Sequence, residues 1–289
     1  MKEIVKEKIA SILSGDEEIQ SVEQLGGMTN QNYLVQTSSN RYIVKFFGKG
    51  TEKLIDRQNE KFNLELLKDL KLDVENYLFD IDAGIKVNQY IENAETLDST
   101  TIKTKFEKIA PILQTIHASG KELKGEFAPF EEIKKYESLI QGEISYPNYE
   151  AVRKAVFSLK EELEQIGIDK KSCHIDLVPE NFIEGPDGHL YLIDWEYSSM
   201  NDPMWDLAAL FLESEFTTDE EDSFLSYYES EQTPVSREKI RIYKILQDII
   251  WSLWTIYKEE NGADFGDYGI SRYNRAVKEL ESEGDLNEN

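Results

Sequence analysis

Cysteine is almost absent from this 289-residue chain: Cys173 stands alone, which excludes an internal disulfide framework and suits a reducing compartment. It reads as a small buried filler. Histidine is scarce too, with three residues. His117 falls on an amphipathic helix expected over Pro111 to Ser119 and His189 in a strand. Neither His117 nor His189 is a candidate metal ligand, and His117 has no His or Cys partner at ligand spacing. Positive charge is the minority sign, 32 Lys and Arg against 57 Asp and Glu, a net charge of −25. That balance opposes binding to nucleic acid or to an anionic membrane, both of which need a basic face. It is compatible with a cationic small molecule. Long apolar runs are also missing, and none approaches the roughly 20 residues of a membrane span. Met1 to Gln20 mixes Lys and Glu throughout, so no secretory leader is expected. A cytoplasmic chain without membrane or nucleic-acid partners is the expectation.

What is present suffices for ordinary globular packing, with 40% hydrophobic residues beside 31% charged ones. The length accommodates about two domains. Lys2 to Leu13 reads as a short amphipathic helix with Ile4, Val5, Ile9, Ile12 and Leu13 on one stripe. Strand-like segments follow at Ile19 to Leu25, Tyr33 to Thr37 and Tyr42 to Phe47, and their short connections favour an antiparallel meander. A helix is expected from Glu52 to Leu70, then strands at Tyr77 to Ile81 and Ile85 to Tyr90. After Ile91 the pattern becomes mainly helical. This divides the chain into residues 1–91 and 92–289. The acidic tail from Glu279 is expected to fray.

One stretch carries chemistry. His174-Ile-Asp176-Leu-Val-Pro-Glu-Asn181 is followed by Ile193-Asp194-Trp195-Glu196. Phosphoryl transfer to a hydroxyl needs a carboxylate to orient that hydroxyl and accept its proton, the role open to Asp176. The nucleotide's magnesium ions need oxygen ligands, here the Asn181 amide and the Asp194 carboxylate. Between them, Phe182 to Glu184 and His189 to Ile193 read as two short strands around the turn Gly185-Pro-Asp-Gly188. A hairpin would return Asp194 to the side of Asn181. The bland alternative is that Asp176 and Asn181 merely cap a turn. His174 reads as a hydrogen-bonded loop anchor, since Asp176 already fills the base role.

These residues resemble the aminoglycoside phosphotransferase and choline kinase branch of the protein-kinase-like fold. Protein kinases carry His-Arg-Asp and then Asp-Phe-Gly at comparable spacing. Here Ile175 replaces the Arg and Trp195-Glu196 replaces Phe-Gly, as in small-molecule kinases. The run Ile193 to Ser199 is most similar to choline kinases. The resemblance implies an α+β, two-lobed protein-kinase-like fold, with an antiparallel sheet in a small N-lobe and a larger, mainly helical C-lobe. It implies ATP and Mg2+ as cofactors and choline as the small-molecule substrate. It places Glu196 near the metals and the cationic substrate. The short layout is similar to the bacterial type of the family, which supplies phosphocholine for cell-surface decoration.

The same resemblance distributes the nucleotide contacts. Leu25 to Asn32 is a small polar turn between strands, where backbone N–H groups with Thr29, Asn30 and Asn32 can meet phosphate oxygens. Lys45 ends the apolar run Ile43-Val44-Lys45, where burial would be costly unless it is paired. A kinase lysine binds phosphates and pairs with a helix glutamate, and Glu60 is the candidate, with Glu52 and Glu65 on the same helix. Strand alternation alone would equally allow Lys45 a solvent-facing position. Asn88 to Ile91 corresponds to the hinge, where the backbone of Gln89 and Ile91 would hydrogen-bond adenine. Asp206 corresponds to a residue that ties the catalytic loop through backbone hydrogen bonds.

The acceptor pocket rests on Ile240 to Lys258, a helix whose apolar stripe is Ile242, Ile245, Leu246, Ile249, Leu253 and Ile256. Trp251 falls opposite that stripe, and Trp254 about a third of a turn from it. They share their side with Lys244, Gln247 and Lys258. Packing under the C-terminal segment is one explanation. The other is an aromatic cage for a quaternary ammonium. The Trp-x-x-Trp pair resembles the choline kinase cage, and Tyr197 and Tyr268 match further aromatics of that family. Other expectations remain open: a kinase for ethanolamine or for an aminoglycoside or polyol, and a catalytically dead choline-binding protein. Intact Lys45, Asp176, Asn181 and Asp194 weigh against the last.

Overall fold

The computed structural model describes residues 2–13, 17–27, 29–282 and 284. In chain order the elements are α1 (Lys2–Ile9), β1 (Ile19–Gln24), β2 (Gln31–Thr37), β3 (Arg41–Phe46), α2 (Arg57–Leu67), β4 (Asn76–Asp80), β5 (Ile85–Gln89) and β6 (Glu95–Thr96). Then come α3 (Phe106–His117), α4 (Pro129–Leu139), α5 (Tyr149–Ile166), β7 (Lys171–Cys173), β8 (Phe182–Glu184), β9 (Leu190–Leu192) and β10 (Ser199–Asn201). The remaining helices are α6 (Pro203–Glu213), α7 (Thr218–Tyr228), α8 (Arg237–Glu260) and α9 (Tyr268–Ser282). Two compact units result. The first combines residues 1–98 with 179–197, and the second combines 99–178 with 198–289. The hairpin that carries Asp194 therefore belongs with the first 98 residues, although it follows them by a long excursion of chain.

The first unit holds an antiparallel sheet in the order β1-β2-β3-β5-β4. Strand alternation sorts its side chains onto two faces. Tyr33, Val35, Tyr42, Val44, Ile85 and Val87 pack with Val5 and Ile9 of α1 into one buried cluster. Lys45 and Lys86 are register partners on the opposite face, and both are buried. α1 is shorter than its apolar pattern predicts. It ends at Ile9, whose carbonyl accepts from Ile12 and Leu13 in a closing turn, and Ile4 of the expected stripe is exposed. The expected Glu52–Leu70 helix is broken up likewise. Asp56 caps α2 by accepting from the N–H groups of Gln58 and Asn59, so the helix starts behind it. Residues Thr51–Lys53 and Lys68–Leu70 form separate 3₁₀ turns. A second small sheet, β6-β8-β9, completes this unit.

In the second unit α8 packs against α4, α5, α6 and α9. Contact on so many sides buries almost its whole circumference, from Lys239 to Tyr257 with few gaps. The expected polar side of this helix is therefore not a solvent face. Gln247 donates to the Trp205 carbonyl at 2.8 Å, and Ser252 and Thr255 return their hydroxyls to Ile249 and Trp251 carbonyls at 2.8 Å. α3 starts earlier than its Pro111 suggests. Its stripe of Phe106, Ile109, Ala110, Leu113 and Ile116 is buried and carries the helix through the proline. Glu279 to Ser282, expected to fray, are helical within α9; of the rest of that tail only Gly284 is described.

Candidate active site

In the first unit the turn Gly185-Pro-Asp-Gly188 closes β8 on β9, with Gly188 at φ 80° and the Gly185 N–H on the His189 carbonyl at 2.8 Å. Phe182 then pairs with Leu192, and the Ile193 N–H donates to the Asn181 carbonyl at 2.8 Å. Asn181 and Asp194 thus flank one ladder end, as the spacing predicts. Asp194 sits in the left-handed region at φ 67°, a conformation that Asp tolerates better than most residues. Its Oδ1 accepts from the Lys45 ammonium at 2.6 Å.

That contact corrects the expected Lys45–Glu60 pair. Glu60 is buried, but its carboxylate is held by Lys86 at 3.1 Å and by Arg57 at 2.6 Å. Glu60 acts on Lys45 only through space. The reason is register: β5 brings Lys86 directly opposite Lys45, and Lys86 is the lysine whose ammonium reaches α2. Burial pulls the Lys45 ammonium downward, yet Asp194, Glu196 and Glu60 outweigh it and hold its pKa above the ordinary value.

Glu196 lies in the 3₁₀ turn Trp195–Tyr197, buried, with Tyr197 half-buried behind it. Its Oε2 accepts from Asn30 Nδ2 at 2.7 Å and from Arg57 at 2.9 Å. Burial, then the neighbouring Asp194 charge, raises its carboxyl pKa, and Lys45 and Arg57 oppose that. Arg57 also bonds Asn30 Oδ1 at 2.9 Å and lies over the Phe47 ring at 4.1 Å. A buried chain Lys86–Glu60–Arg57–Glu196–Asn30 thus links β5 and α2 to the turn after Asp194 and to the polar turn before β2. Asn181, Asp194 and Glu196 carry amide and carboxylate oxygens of the kind that could hold Mg2+, and one Asp194 oxygen already faces a cation in Lys45. Asp73, which no sequence motif marks, stands near Lys86 and Lys45; burial pushes its carboxyl up to about 7.

The polar turn is built by close approach. A side chain at Gly48 would meet the Thr29 carbonyl at 1.9 Å, so only glycine fits against that backbone. Asn32 Nδ2 donates to the Gly26 carbonyl at 2.9 Å and Leu25 N–H to the Asn32 carbonyl at 2.8 Å, closing the turn. Asn30 and Asn32 are therefore engaged with protein groups, Asn30 with the Glu196 chain and Asn32 with the turn itself. The Gln89 N–H donates to the Glu75 carbonyl at 2.8 Å, so a ligand bond at Gln89 would have to use its carbonyl. The Ile91 carbonyl accepts from Ala94 at 3.4 Å.

In the second unit, Asp176 is half-buried on the loop after β7. Ile175 before it has φ 78°, a strained value for a β-branched residue. Three bonds hold it there. Asp206 Oδ1 and Oδ2 accept from the Ile175 and His174 N–H groups, each at 2.8 Å, and Trp205 Nε1 donates to the Ile175 carbonyl at 3.0 Å. Asp206 is itself oriented by His117, whose Nε2 lies 3.0 Å from Oδ2 and whose Nδ1 lies 2.7 Å from the Tyr228 hydroxyl. Cys173 joins His117 and Asp206 in space, a proximity that sequence spacing did not disclose. Its thiol donates to the Asn201 carbonyl at 3.4 Å, and burial pushes its pKa well up, with the Asp206 and Asp202 charges adding to the shift. Both ring nitrogens of His117 are already engaged. This cluster anchors a loop.

Trp251 and Trp254 meet edge to face, 6.5 Å between centroids, and Trp254 packs on Phe265 at 5.0 Å. Phe265 in turn lies 6.5 Å from Tyr268. Phe265 had no sequence signal beyond its neighbouring glycines. The two tryptophans are only 8% and 5% exposed, so each presents a small part of its surface outward. Two protein cations already visit this wall: Lys258 lies 5.7 Å from the Trp254 centroid and Arg272 5.0 Å from that of Tyr268. Burial raises the Tyr268 phenol pKa; Arg272 opposes this, while Glu213, Asp176 and Asp248 add to it.

A family model described as choline/ethanolamine kinase matches residues 22–240. Protein LicA of Haemophilus influenzae is 32% identical over 268 residues, covering 88% of this chain and 99% of that protein. The crystal structure of choline kinase LicA from Streptococcus pneumoniae superposes with a TM-score of 0.95 at 76% identity, over 98% of this chain and 99% of that one. LicA solved in complex with AMP is 78% identical, with a TM-score of 0.92 over 97% of this chain and 98% of the other.

Proposed function

Because the chain belongs to the choline/ethanolamine kinase family, we propose that it transfers the γ-phosphoryl group of MgATP to the hydroxyl of choline. The products are phosphocholine and ADP: the γ-phosphorus to bridging-oxygen bond breaks, and a bond to the choline oxygen forms. The hydroxyl proton passes to Asp176. Lys45 steadies the α- and β-phosphates, and the buried Arg57 and Asn30 fix Glu196. Asn181, Asp194 and Glu196 are the residues that would hold Mg2+, which neutralises phosphate charge when bound. In a protein of net charge −25 that neutralisation also eases the approach of ATP.

The observation that carries the choline reading is the aromatic wall Trp251–Trp254–Phe265–Tyr268 in the unit that contains Asp176. Ring faces suit a methylated ammonium, which has no N–H to donate. An aminoglycoside, studded with amines and hydroxyls, would call for open carboxylates instead. Among the described residues no helix is long and apolar enough to cross a membrane, in keeping with a cytoplasmic enzyme acting on a small molecule. The family resemblance extends the reading to cell-surface phosphocholine decoration.

An ADP-release assay with choline, ethanolamine and an aminoglycoside tests it. Choline is expected to give the highest kcat/KM. Preference for the aminoglycoside, or no ADP release with any of the three, overturns the reading.

A further inference from the structure

Behind the aromatic wall lies a group of charges that neither the sequence motifs nor the transfer step uses. Arg272 of α9 is 4% exposed, and both its terminal nitrogens bond Glu213 Oε1 of α6, the Nη1 contact at 2.7 Å. Its Nε lies 3.6 Å from Asp248 Oδ1 on α8. Asp248, 2% exposed, is gripped in bidentate fashion by Arg275 through bonds of 2.6 Å each. Two guanidiniums therefore balance two carboxylates.

Helix periodicity ties this group to the wall. Asp248 precedes Trp251 by one turn of α8, and Tyr268 precedes Arg272 by one turn of α9. Arg272 also covers the Tyr268 ring. Glu213 and Asp248, two of the carboxylates that act on Tyr268, are thus engaged by arginines. A primary ammonium seeks three hydrogen-bond acceptors and finds Glu213 and Asp248 already engaged. A quaternary ammonium seeks none and loses nothing.

We propose that Arg272 is a specificity-determining residue: by engaging Glu213 and Asp248 it withholds their carboxylates from a primary ammonium and so favours choline over ethanolamine. The proposal rests on the choline reading of the same site. Arg272 acts through the carboxylates it masks, and it is a positioning residue with no part in the transfer step.

The test compares kcat/KM for choline and for ethanolamine in the unaltered enzyme, Arg272→Gln, Arg272→Lys and the double variant Glu213→Gln/Arg272→Gln, with a melting temperature for each. Arg272→Gln removes one of the two guanidiniums shared by Glu213 and Asp248, so the choline-to-ethanolamine ratio should fall by at least about tenfold, the scale of one hydrogen bond to a charged group. Arg272→Lys, which keeps the charge, should retain most of the ratio. The double variant removes the charge on both sides and should restore the ratio even if it melts lower. A ratio unchanged in Arg272→Gln, or lowered there but not restored in the double variant, overturns the proposal. Failure of the choline reading itself is a separate result, seen as no preference for choline in the unaltered enzyme.

Discussion

Lys45 and Lys86 stand directly opposite one another on β3 and β5, both buried, and each takes a different carboxylate: Asp194 for Lys45 and Glu60 for Lys86. Two like charges in adjacent strand positions repel, so each must be neutralised by its own partner. This divides labour between a lysine directed to the Asp194 segment and one directed to the helix.

The division is measurable. Lys86→Met would leave Glu60 with Arg57 alone and should cost about 3 kcal/mol of stability, the low end for breaking a buried pair. Lys45→Met should lower kcat and weaken nucleotide binding with a smaller loss of melting temperature. Melting curves and kinetics on both variants decide, and equal damage by both measures would contradict separate roles.

Asp176→Ala should reduce kcat by at least about a hundredfold while nucleotide affinity changes little. His117→Ala acts at a distance. It removes a support of Asp206, and so should lower kcat more than it raises either KM. A near-normal kcat in Asp176→Ala would remove that residue from the transfer step.

Asp194→Asn keeps the shape of the side chain and removes its charge, so Mg2+-dependent nucleotide binding and turnover should fall together. Calorimetry with and without Mg2+ checks this; unchanged metal dependence would place the ion on other residues.

Trp254→Ala should raise the choline KM by roughly five- to thirtyfold, the equivalent of about 1–2 kcal/mol for a desolvated cation–π contact. The ATP KM should hardly move. Because Trp254 also packs on Trp251 and Phe265, the melting temperature must be read alongside. Equal weakening of both substrates with a lowered melting point would mean that the ring only fills space.

Asp73 gives a pH dependence of known sign. Its folded pKa of about 7 lies above that of an unfolded aspartate, so the folded state binds the proton more tightly. Its contribution to stability is full below about pH 4 and is lost as pH rises through 7. Asp73→Asn should therefore gain stability relative to the unaltered protein as pH is raised from about 5 to 8, by at most about 1.4 kcal/mol per pH unit. Parallel pH–stability curves for the two proteins would contradict it.

The hairpin that carries Asp194 was legible because its signals are local. Turn residues at Gly185 and Gly188 and the strand lengths around them place Asp194 beside Asn181 with no tertiary information. The lysine in Ile43-Val44-Lys45 stood out by the same rule, and Ile85-Lys86-Val87 carried an equal signal that went unread. Which lysine meets Glu60 was not legible, because strand order and register decide it. The two faces of α8 misled for a related reason: phase counting assumes a solvent side, and this helix is enclosed by α4, α5, α6 and α9. Phe265 meets Trp254, and Arg272 meets Glu213, only through the tertiary packing of the segments that follow α8.

The interrupted chain path of the first unit sets an order of events in synthesis. β6 has no sheet partner until residues 99–178 have left the ribosome, because β8 follows them. Lys45 likewise waits for Asp194, the carboxylate it hydrogen-bonds, until residues 179–197 are made. Residues 1–98 expressed alone would meet the same want, and adding the 179–197 segment as a separate peptide offers a complementation route to a complete first unit.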